Sequence, residues 1–232
     1  MDNLTVIESH LVRFFSSEIL SGDSARIFHG RGKCFGGLEW CCIDFFSPLI
    51  VVTLFQSPPE GWEGKLLPLL RQYVDAKKVS GVMIQRRYLP QAPFETVGGV
   101  VPGEVYARRG DQKYSLSFSQ QNLGFFLDIE PGRRWLESRS SGARILNLFS
   151  YTCSFSLVAA AAGARKVVNI DLSRRSLNVG KSNHSLNNLP AENVHYFSHD
   201  IFKSWGKLKK LGPYDSVIID PPSFQKGSFV AS

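Results

Sequence analysis

Three aspartates stand where a carboxylate could bind a ligand, because each follows a short apolar stretch that we predict to be a strand. They are Asp171, Asp200 and Asp220. In an open parallel sheet, ligands bind outside the carboxyl ends of the strands. One acidic side chain there can accept hydrogen bonds from ribose hydroxyls, and another can accept from the amino group of a base-like ring. One such carboxylate alone could be only a helix cap, but the three together predict a nucleoside-binding site.

The loop after the first of these strands indicates which kind of nucleoside ligand is bound. Residues 147–154 read Asn-Leu-Phe-Ser-Tyr-Thr-Cys-Ser, a run of small and hydroxylated side chains before a predicted helix. No glycine occurs between Gly142 and Gly163, so the G-x-G-x-x-G pattern that brings a backbone close to a dinucleotide pyrophosphate is missing. An adenosyl group that carries a sulfonium has no phosphate. We therefore favour adenosyl binding, with NAD as the alternative.

The most specific motif is Asp220-Pro221-Pro222-Ser223-Phe224. Its two prolines keep the backbone extended and remove amide donors, so that carbonyl groups and the Asp220 carboxylate can face a target amine or ring. Phe224 can stack on a flat base. A rigid loop after an edge strand is the alternative. The motif predicts the place where an acceptor base is held.

The elements that position these residues follow from hydrophobic periodicity. Short apolar strands alternate with helices after residue 143, which is typical of a doubly wound parallel sheet. The predicted strands cover residues 145–149, 166–171, 194–197 and 216–220, and the predicted helices cover residues 155–162, 173–187 and 202–211. We therefore predict a Rossmann-like α/β sheet over residues 119–232.

The first half of the chain has a different pattern, in which strands are mixed with few helices. We predict helices over residues 4–20 and 66–76, strands over residues 38–46, 49–55 and 81–88, and a hairpin over residues 105–118. This mixture is typical of a small α+β domain. We assign that domain to residues 1–118.

Charge and hydropathy restrict the partners. The net charge of the 232 residues is +7, and the basic excess lies after residue 60. This excess suits a polyanion such as RNA, because neutralised phosphates release counterions, although a solvated surface is the alternative.

The longest apolar run, residues 47–55, is about half the ~20 residues that span a bilayer. The first residues lack the order of a secretory signal, so we expect a cytoplasmic protein without a membrane partner.

The cysteines do not predict a metal site. Cys34, Cys41, Cys42 and Cys153 contain no CxxC spacing. A zinc site built from His29, Cys34 and Cys41 is the alternative to reduced, partly buried thiols. We expect the thiols and no metal.

The chain resembles the class I methyltransferases that use S-adenosyl-L-methionine (SAM). Within them it is similar to the group that includes the 23S ribosomal RNA methyltransferases acting on cytosine C5 or guanine N7. The resemblance is strong over residues 121–224 and weaker from about residue 25. The residues that carry it are 121–128 (Gln-Asn-Leu-Gly-Phe-Phe-Leu-Asp), 146–152 (Leu-Asn-Leu-Phe-Ser-Tyr-Thr), Asp171, Leu172, Ser173, Asn187, Asp200 and 220–224.

The resemblance implies SAM as the cofactor and a role for each matching residue. The methionine side of SAM is expected at residues 147–152, the ribose at Asp171 and the adenine at Asp200. A lid strand over residues 124–128 is expected beside the cofactor, and Arg133 and Arg134 follow on a helix where they meet phosphate or solvent. The implied cofactor-binding residues are Phe126, Asp128, Asn147, Ser150, Tyr151, Thr152, Asp171, Ser173, Asp200 and Ile201. The implied catalytic residues are Asp220, Pro221, Pro222 and Phe224.

The chain departs from this family at two places. The family usually has glycine where this chain has Cys153, whose side chain could crowd the methionine end of the cofactor. The chain also stops at Ser232, shortly after the proline motif, whereas a sheet of this family continues with further strands. We therefore expect a Rossmann-like sheet that is incomplete at its C-terminal side. For these residues alone we expect SAM binding that is weak or absent, and negligible turnover. The cysteine thiolate that a cytosine-C5 transfer needs would lie downstream, because no cysteine follows Cys153.

The predicted function is methylation of a ribosomal RNA base by a SAM-dependent enzyme, with 23S ribosomal RNA as the partner that the resemblance implies. Two alternatives stay open. The chain could be a catalytically inactive remnant that binds RNA, or a methyltransferase whose acceptor is a protein or a small molecule. The sequence leaves the modified base and the oligomeric state open.

Overall fold

The computed structural model describes residues 3–17, 22–190 and 192–222, so Phe224 lies outside the described residues. The chain folds into two compact units, Met1–Leu123 and Gly124–Ser232. The assignment of residues 1–118 to one domain and of residues 119–232 to another stays a prediction.

The first unit contains a five-stranded mixed sheet with strands in the order β1-β2-β3-β4-β5, and a separate hairpin. Neighbours in the sheet are antiparallel except β3 and β4, which are parallel because α2 connects them. Its described elements are α1 (Asn3–Ser16), β1 (Ala25–His29), β2 (Cys41–Phe46), β3 (Leu49–Leu54), α2 (Trp62–Asp75), β4 (Gly81–Arg86), β5 (Phe94–Gly99), β6 (Tyr106–Arg109) and β7 (Gln112–Ser115).

The core of the first unit lies between its helices and the sheet. The central strands β2 and β3 are buried along their whole length. The amphipathic helix α1 contributes Ile7, Leu11 and Phe15, spaced four residues apart as the periodicity predicts. The sequence did not reveal β1 and β5, and both are edge strands. Half-exposed edge strands such as β5 carry polar residues that hide the apolar pattern.

The second unit is a parallel sheet with helices on both faces, and the predicted Rossmann-like α/β fold is confirmed. Its strands lie in the order β10-β9-β8-β11, and every neighbouring pair is parallel. Its described elements are α3 (Glu130–Glu137), β8 (Arg144–Leu148), α4 (Ser154–Ala161), β9 (Lys166–Asp171), α5 (Arg174–Leu186), β10 (Val194–Ser198), a 3-10 helix (Ile201–Lys203), α6 (Trp205–Leu211) and β11 (Ser216–Ile219).

Alternate residues of the strands pack on opposite faces of this sheet. Ile145 and Val167 face α3 and α4, whereas Leu146 and Val168 face the side of α6. The chain runs outward from β8 to β9 and β10, and then returns to place β11 on the other side of β8. The point where the strand order reverses, between β8 and β11, is where open α/β sheets bind ligands.

Two predicted elements differ from the structure. Residues 202–211 form a 3-10 turn followed by α6, because the Asp200 Oδ1 accepts the Phe202 amide at 2.9 Å and caps a separate short turn. Residues 124–128 form no strand, so the expected lid strand was wrong. Two of their carbonyls bind side chains instead of a neighbouring strand: Gly124 accepts from Thr152, and Phe126 accepts from Arg133.

No helix in the described ranges is long and apolar enough to cross a membrane.

Candidate functional site

The carboxyl ends of four parallel strands meet at one edge of the second sheet. Along this edge lie Asp200 after β10, Asp171 at the end of β9, the loop of residues 149–153 after β8, and Asp220 after β11. Neighbouring strands are about 4.8 Å apart, so the row extends over about 14 Å. Named by the contacts that the sequence predicts, the row runs from an adenine end at Asp200, past the ribose position at Asp171 and a methionine end at residues 149–153, to an acceptor end at Asp220.

The loop after β8 is tightly wound. Phe149, Tyr151 and Cys153 have φ angles of 55°, 47° and 60°, a left-handed conformation that costs non-glycine residues about 1–3 kcal/mol each. The loop is held by the Ser150 amide, which donates to the Ile170 carbonyl at 3.0 Å. Strained backbone of this kind persists only where the surrounding structure enforces it, and it clusters at ligand sites.

The Asp171 carboxylate joins this loop to the start of α5. Its Oδ2 accepts the Tyr151 amide at 2.8 Å, and its Oδ1 accepts the Ser173 amide at 2.8 Å. An ionised carboxylate has about four acceptor positions, so positions for about two further hydrogen-bond donors are left. The Ser173 hydroxyl itself accepts the Ser176 amide at 3.1 Å and caps α5.

Three polar residues near the methionine end are buried, and they differ in their partners. The Asn147 amide donates to Asn169 Oδ1 at 3.0 Å, and the Thr152 hydroxyl donates to the Gly124 carbonyl at 2.6 Å. The Ser150 hydroxyl is buried, and within the described ranges no group bonds to it with acceptable geometry. The Ser150 hydroxyl lies close to the Cys153 thiol, and it lowers the pKa of that thiol less than burial raises it. A buried hydroxyl without a partner costs about 1–3 kcal/mol, so Ser150 fits a site that a polar ligand completes.

Cys153 lies directly before α4. Burial raises the pKa of its thiol to about 12, so the group is not a nucleophile, in agreement with an interpretation of Cys153 as a tolerated small residue. The thiol packs against α5. A Cβ atom at Gly180 would lie 2.5 Å from the Cys153 Sγ. The missing side chain at Gly180 makes room for the thiol.

At the adenine end, Asp200 caps the 3-10 turn through one oxygen and keeps a partly exposed carboxylate. Ile201 is buried, and its side chain belongs to the core that includes Leu208. The position of Ile201 thus anchors the loop that carries Asp200.

Residues 125–133 pack beside the loop after β8. The Phe126 ring is 44% exposed and lies 5.6 Å from the Tyr151 ring. Arg133 donates to the Phe126 carbonyl at 2.6 Å, and its guanidinium lies 4.1 Å from the centre of the Phe125 ring. Arg133 is fully buried and therefore meets neither phosphate nor solvent, whereas the next residue, Arg134, is exposed. No sequence signal distinguished these two arginines.

The acceptor end of the row is acidic. Partial burial, and secondly the charge of Asp128, raise the pKa of the Asp220 carboxyl, while Arg133 lowers it. Asp128 and Asp220 are therefore close enough to repel one another. Pro221 is half-buried and Pro222 is exposed. A carboxyl with a raised pKa at the end of a strand is typical of functional sites.

Comparisons with known proteins agree with this geometry. A family model described as S-adenosylmethionine-dependent methyltransferase matches residues 25–232. The ribosomal RNA large subunit methyltransferase I of Aeromonas salmonicida is 38% identical over 194 residues, which are 81% of this chain and 49% of that protein. The chain spans about half the length of the curated relatives that it matches.

Two solved structures are similar over 97% of the chain. One is a Streptococcus mutans protein described as a SAM-dependent methyltransferase, with 26% identity and a TM-score of 0.79 over 60% of its length. The other is a methyltransferase crystallised with S-adenosylhomocysteine (SAH), with 25% identity and a TM-score of 0.80 over 59% of its length. The family match covers most of the chain and includes all four strand ends, and the chain thus belongs to the SAM-dependent methyltransferase family.

Proposed function

We propose that the protein binds SAM along the four strand ends of the second unit and methylates a base of ribosomal RNA. The observation that carries this proposal is the order of the strand ends in space. Along the sequence, the proposed methionine loop (residues 149–153) comes first. The proposed ribose residue Asp171, the adenine residue Asp200 and the acceptor motif (residues 220–224) follow in that order. Because β11 pairs with β8, residues 220–222 lie at the strand end next to the loop of residues 149–153. This supports a proposal in which a methyl group on sulfur meets its acceptor there.

The residues at this edge fit the cofactor. The free acceptor positions of Asp171 suit the ribose hydroxyls, Asp200 suits the adenine amino group, and the Ser150 hydroxyl suits the polar methionine end. Phe126 lies near Tyr151 of the loop after β8, and Asp128 lies near Asp220. Asn147 in β8 and Thr152 in that loop are buried and support it. When SAM is bound, it supplies a methyl group on a sulfonium, and the sulfur of that sulfonium is a good leaving group.

The protein's own contribution to transfer is positioning. The Asp220 carboxylate, when ionised, accepts a hydrogen bond from an acceptor amine, and the carbonyls of Pro221 and Pro222 orient the ring. Phe224 would stack on that ring. Proline at both positions keeps this segment rigid, so the acceptor meets the methyl group at a defined distance and angle.

Ribosomal RNA is the acceptor class that the curated relatives support, since they are named large-subunit ribosomal RNA methyltransferases. The net charge of +7 agrees with a polyanionic partner. We extend the proposal to 23S ribosomal RNA and to the cytoplasm, where that RNA is modified. In this proposal, residues 119–232 are the SAM-binding domain, and residues 1–118 are a separate domain that precedes it.

The test of the cofactor site compares two Asp→Asn substitutions, one at the carboxyl ends and one at the amino ends of the strands in the second sheet. Asp171→Asn removes the charge that faces ribose. Asp215→Asn is the control, because the Asp215 carboxylate also accepts a backbone amide, that of Arg144, but at the amino end of the strands. We expect Asp171→Asn to weaken SAH binding, measured by calorimetry, by about tenfold or more. The control should bind SAH like the wild type, and equal affinity of both variants would contradict the site.

The acceptor is tested with labelled SAM and a mixture of undermodified ribosomal RNA, protein and small molecules. We expect label in the RNA, and we expect Asp220→Ala to lower the transfer rate while SAH affinity is retained. Label in the protein or small-molecule fraction would overturn the RNA acceptor but keep the methyltransferase.

A further inference from the structure

Three residues from distant parts of the sequence meet at one edge of the first sheet. Arg31 lies two residues after β1, Phe55 directly follows β3, and Arg87 directly follows β4. The register places the ends of these three strands side by side, and the Arg87 amide donates to the Leu54 carbonyl at 2.8 Å. The sheet therefore brings both guanidinium groups to the same ring.

Both arginines stack on Phe55. The Arg31 Cζ lies 4.3 Å from the centre of the ring, and the Arg87 Cζ lies 5.3 Å from it. The loop that carries Arg31 is anchored by Gly30, whose amide donates to the Cys41 carbonyl at 2.9 Å. A Cβ atom at Gly30 would collide with the Leu38 carbonyl oxygen, so the loop approaches the sheet this closely only with glycine there.

Neither guanidinium on this ring has a carboxylate partner within the described part of the chain. The polar contact of Arg87 is a neutral one, to Asn122 Oδ1 at 3.3 Å. The preceding arginine is the opposite case, because Arg86 pairs with Glu63 at 2.6 Å and with Glu95 at 2.5 Å. Burial, and secondly the charge of Arg31, lower the pKa of Arg87. The half-buried Arg87 and the exposed Arg31 are thus held on one ring without a carboxylate partner in the described ranges.

We infer that Arg31 and Arg87, held on the Phe55 ring, bind a backbone phosphate of the RNA acceptor. A guanidinium group matches a phosphate with parallel N–H donors, and the aromatic ring orients it without neutralising it. An incoming phosphate supplies the missing negative charge and relieves the repulsion between the two cations. The inference rests on the proposed RNA acceptor and gives the first unit a role in holding it.

The experiment measures RNA binding against salt concentration, with a fluorescein-labelled ribosomal RNA fragment and fluorescence anisotropy. The variant is Arg31→Gln/Arg87→Gln. The control is Arg13→Gln/Lys78→Gln, which removes two exposed positive charges of the same unit, with Lys78 at the opposite end of β4. We expect binding to weaken about tenfold for each arginine of the site. We also expect the slope of log K against log salt to fall by about 0.7–0.9 for each phosphate that the variant no longer neutralises.

Melting temperatures measured without RNA distinguish a phosphate-binding role of the two arginines from a purely structural role. Arg31→Gln removes a repulsion, so its Tm should equal or exceed that of the wild type, whereas Arg86→Gln should melt lower because its two ion pairs are removed. A decrease of Tm in Arg31→Gln as large as that in Arg86→Gln would overturn the site.

RNA binding and SAH binding distinguish the two proposals. If the double variant binds RNA with the wild-type affinity and slope, the phosphate site is wrong and the proposed methyltransferase function is untouched. If the wild type binds SAH but no RNA, the RNA acceptor and the phosphate site are both wrong. If the wild type binds RNA through the two arginines but not SAH, the phosphate site stands and the proposed function fails.

Discussion

Cys153 and Gly180 should be coupled through a single steric contact, and the perturbation that tests this is Gly180→Ala. The new Cβ would lie 2.5 Å from the Cys153 Sγ, 2.8 Å from its Cβ and 3.3 Å from the Thr152 carbonyl oxygen. The first two distances are shorter than packed atoms tolerate, so the loop after β8 or helix α5 must shift. The shift also disturbs the loop in which we place the methionine end of SAM.

The size of the effect follows from two opposing terms. Overpacking a buried contact costs about 1–3 kcal/mol, whereas alanine inside a helix is about 1 kcal/mol better than glycine. We therefore expect Gly180→Ala to lower the free energy of unfolding by up to about 2 kcal/mol. Cys153→Gly removes the thiol and relieves the left-handed backbone at φ 60°, so its net effect should stay within about 1 kcal/mol.

The double variant, Cys153→Gly with Gly180→Ala, should be more stable than Gly180→Ala alone, because the new methyl group then occupies the space of the thiol. The expected coupling between the two sites is about 1–3 kcal/mol, the overpacking cost that the double variant removes. Equilibrium urea unfolding of the wild type, both single variants and the double variant measures it. SAH titration of the same four proteins should show the weakest binding for Gly180→Ala. Additive effects, or a stabilising Gly180→Ala in the wild-type background, would refute this steric reasoning.

Three further predictions follow from burial and charge. Arg133→Met should lower the free energy of unfolding by about 3 kcal/mol, because a buried charged group with specific partners is removed. Arg134→Met should change that free energy by no more than about 0.5 kcal/mol, because the Arg134 side chain is exposed. Urea unfolding of the two variants compares these effects. Partial burial, and secondly the charge of Asp128, raise the pKa of Asp220, so ionisation of this group lowers stability at neutral pH. Asp220→Asn should therefore raise Tm at pH 7, and the gain should vanish as the pH falls through the Asp220 pKa, as melting curves at several pH values would show. Of the four cysteines only Cys34 is exposed, so a thiol reagent should modify one equivalent quickly in the native protein and four after unfolding.

Most elements of the second unit could be predicted from the sequence, because its strands are short apolar runs between amphipathic helices. The same pattern revealed the acidic residues at the strand ends, since Asp171 directly ends an apolar run. The edge strands β1 and β5 could not be predicted, because half of an edge strand faces water and its polar residues interrupt the pattern. The family resemblance implied a lid strand over residues 124–128, but these residues form no strand.

Some contacts of the site depend on distances that no local pattern encodes. Arg133 and Arg134 are adjacent and identical, and only the packing of Phe125 shows that the first is buried and the second exposed. Arg31, Phe55 and Arg87 lie on three separate loops, and the register of the first sheet alone brings them together.

The sequence by itself determined which chemical groups stand at each strand end: hydroxyls after β8, carboxylates after β9 and β10, and a proline-stiffened carboxylate after β11. These are local properties, set where an apolar run stops. Only the tertiary structure decided their order across the sheet. Because β11 pairs with β8 and not with β10, the last motif in the chain becomes the neighbour of the first.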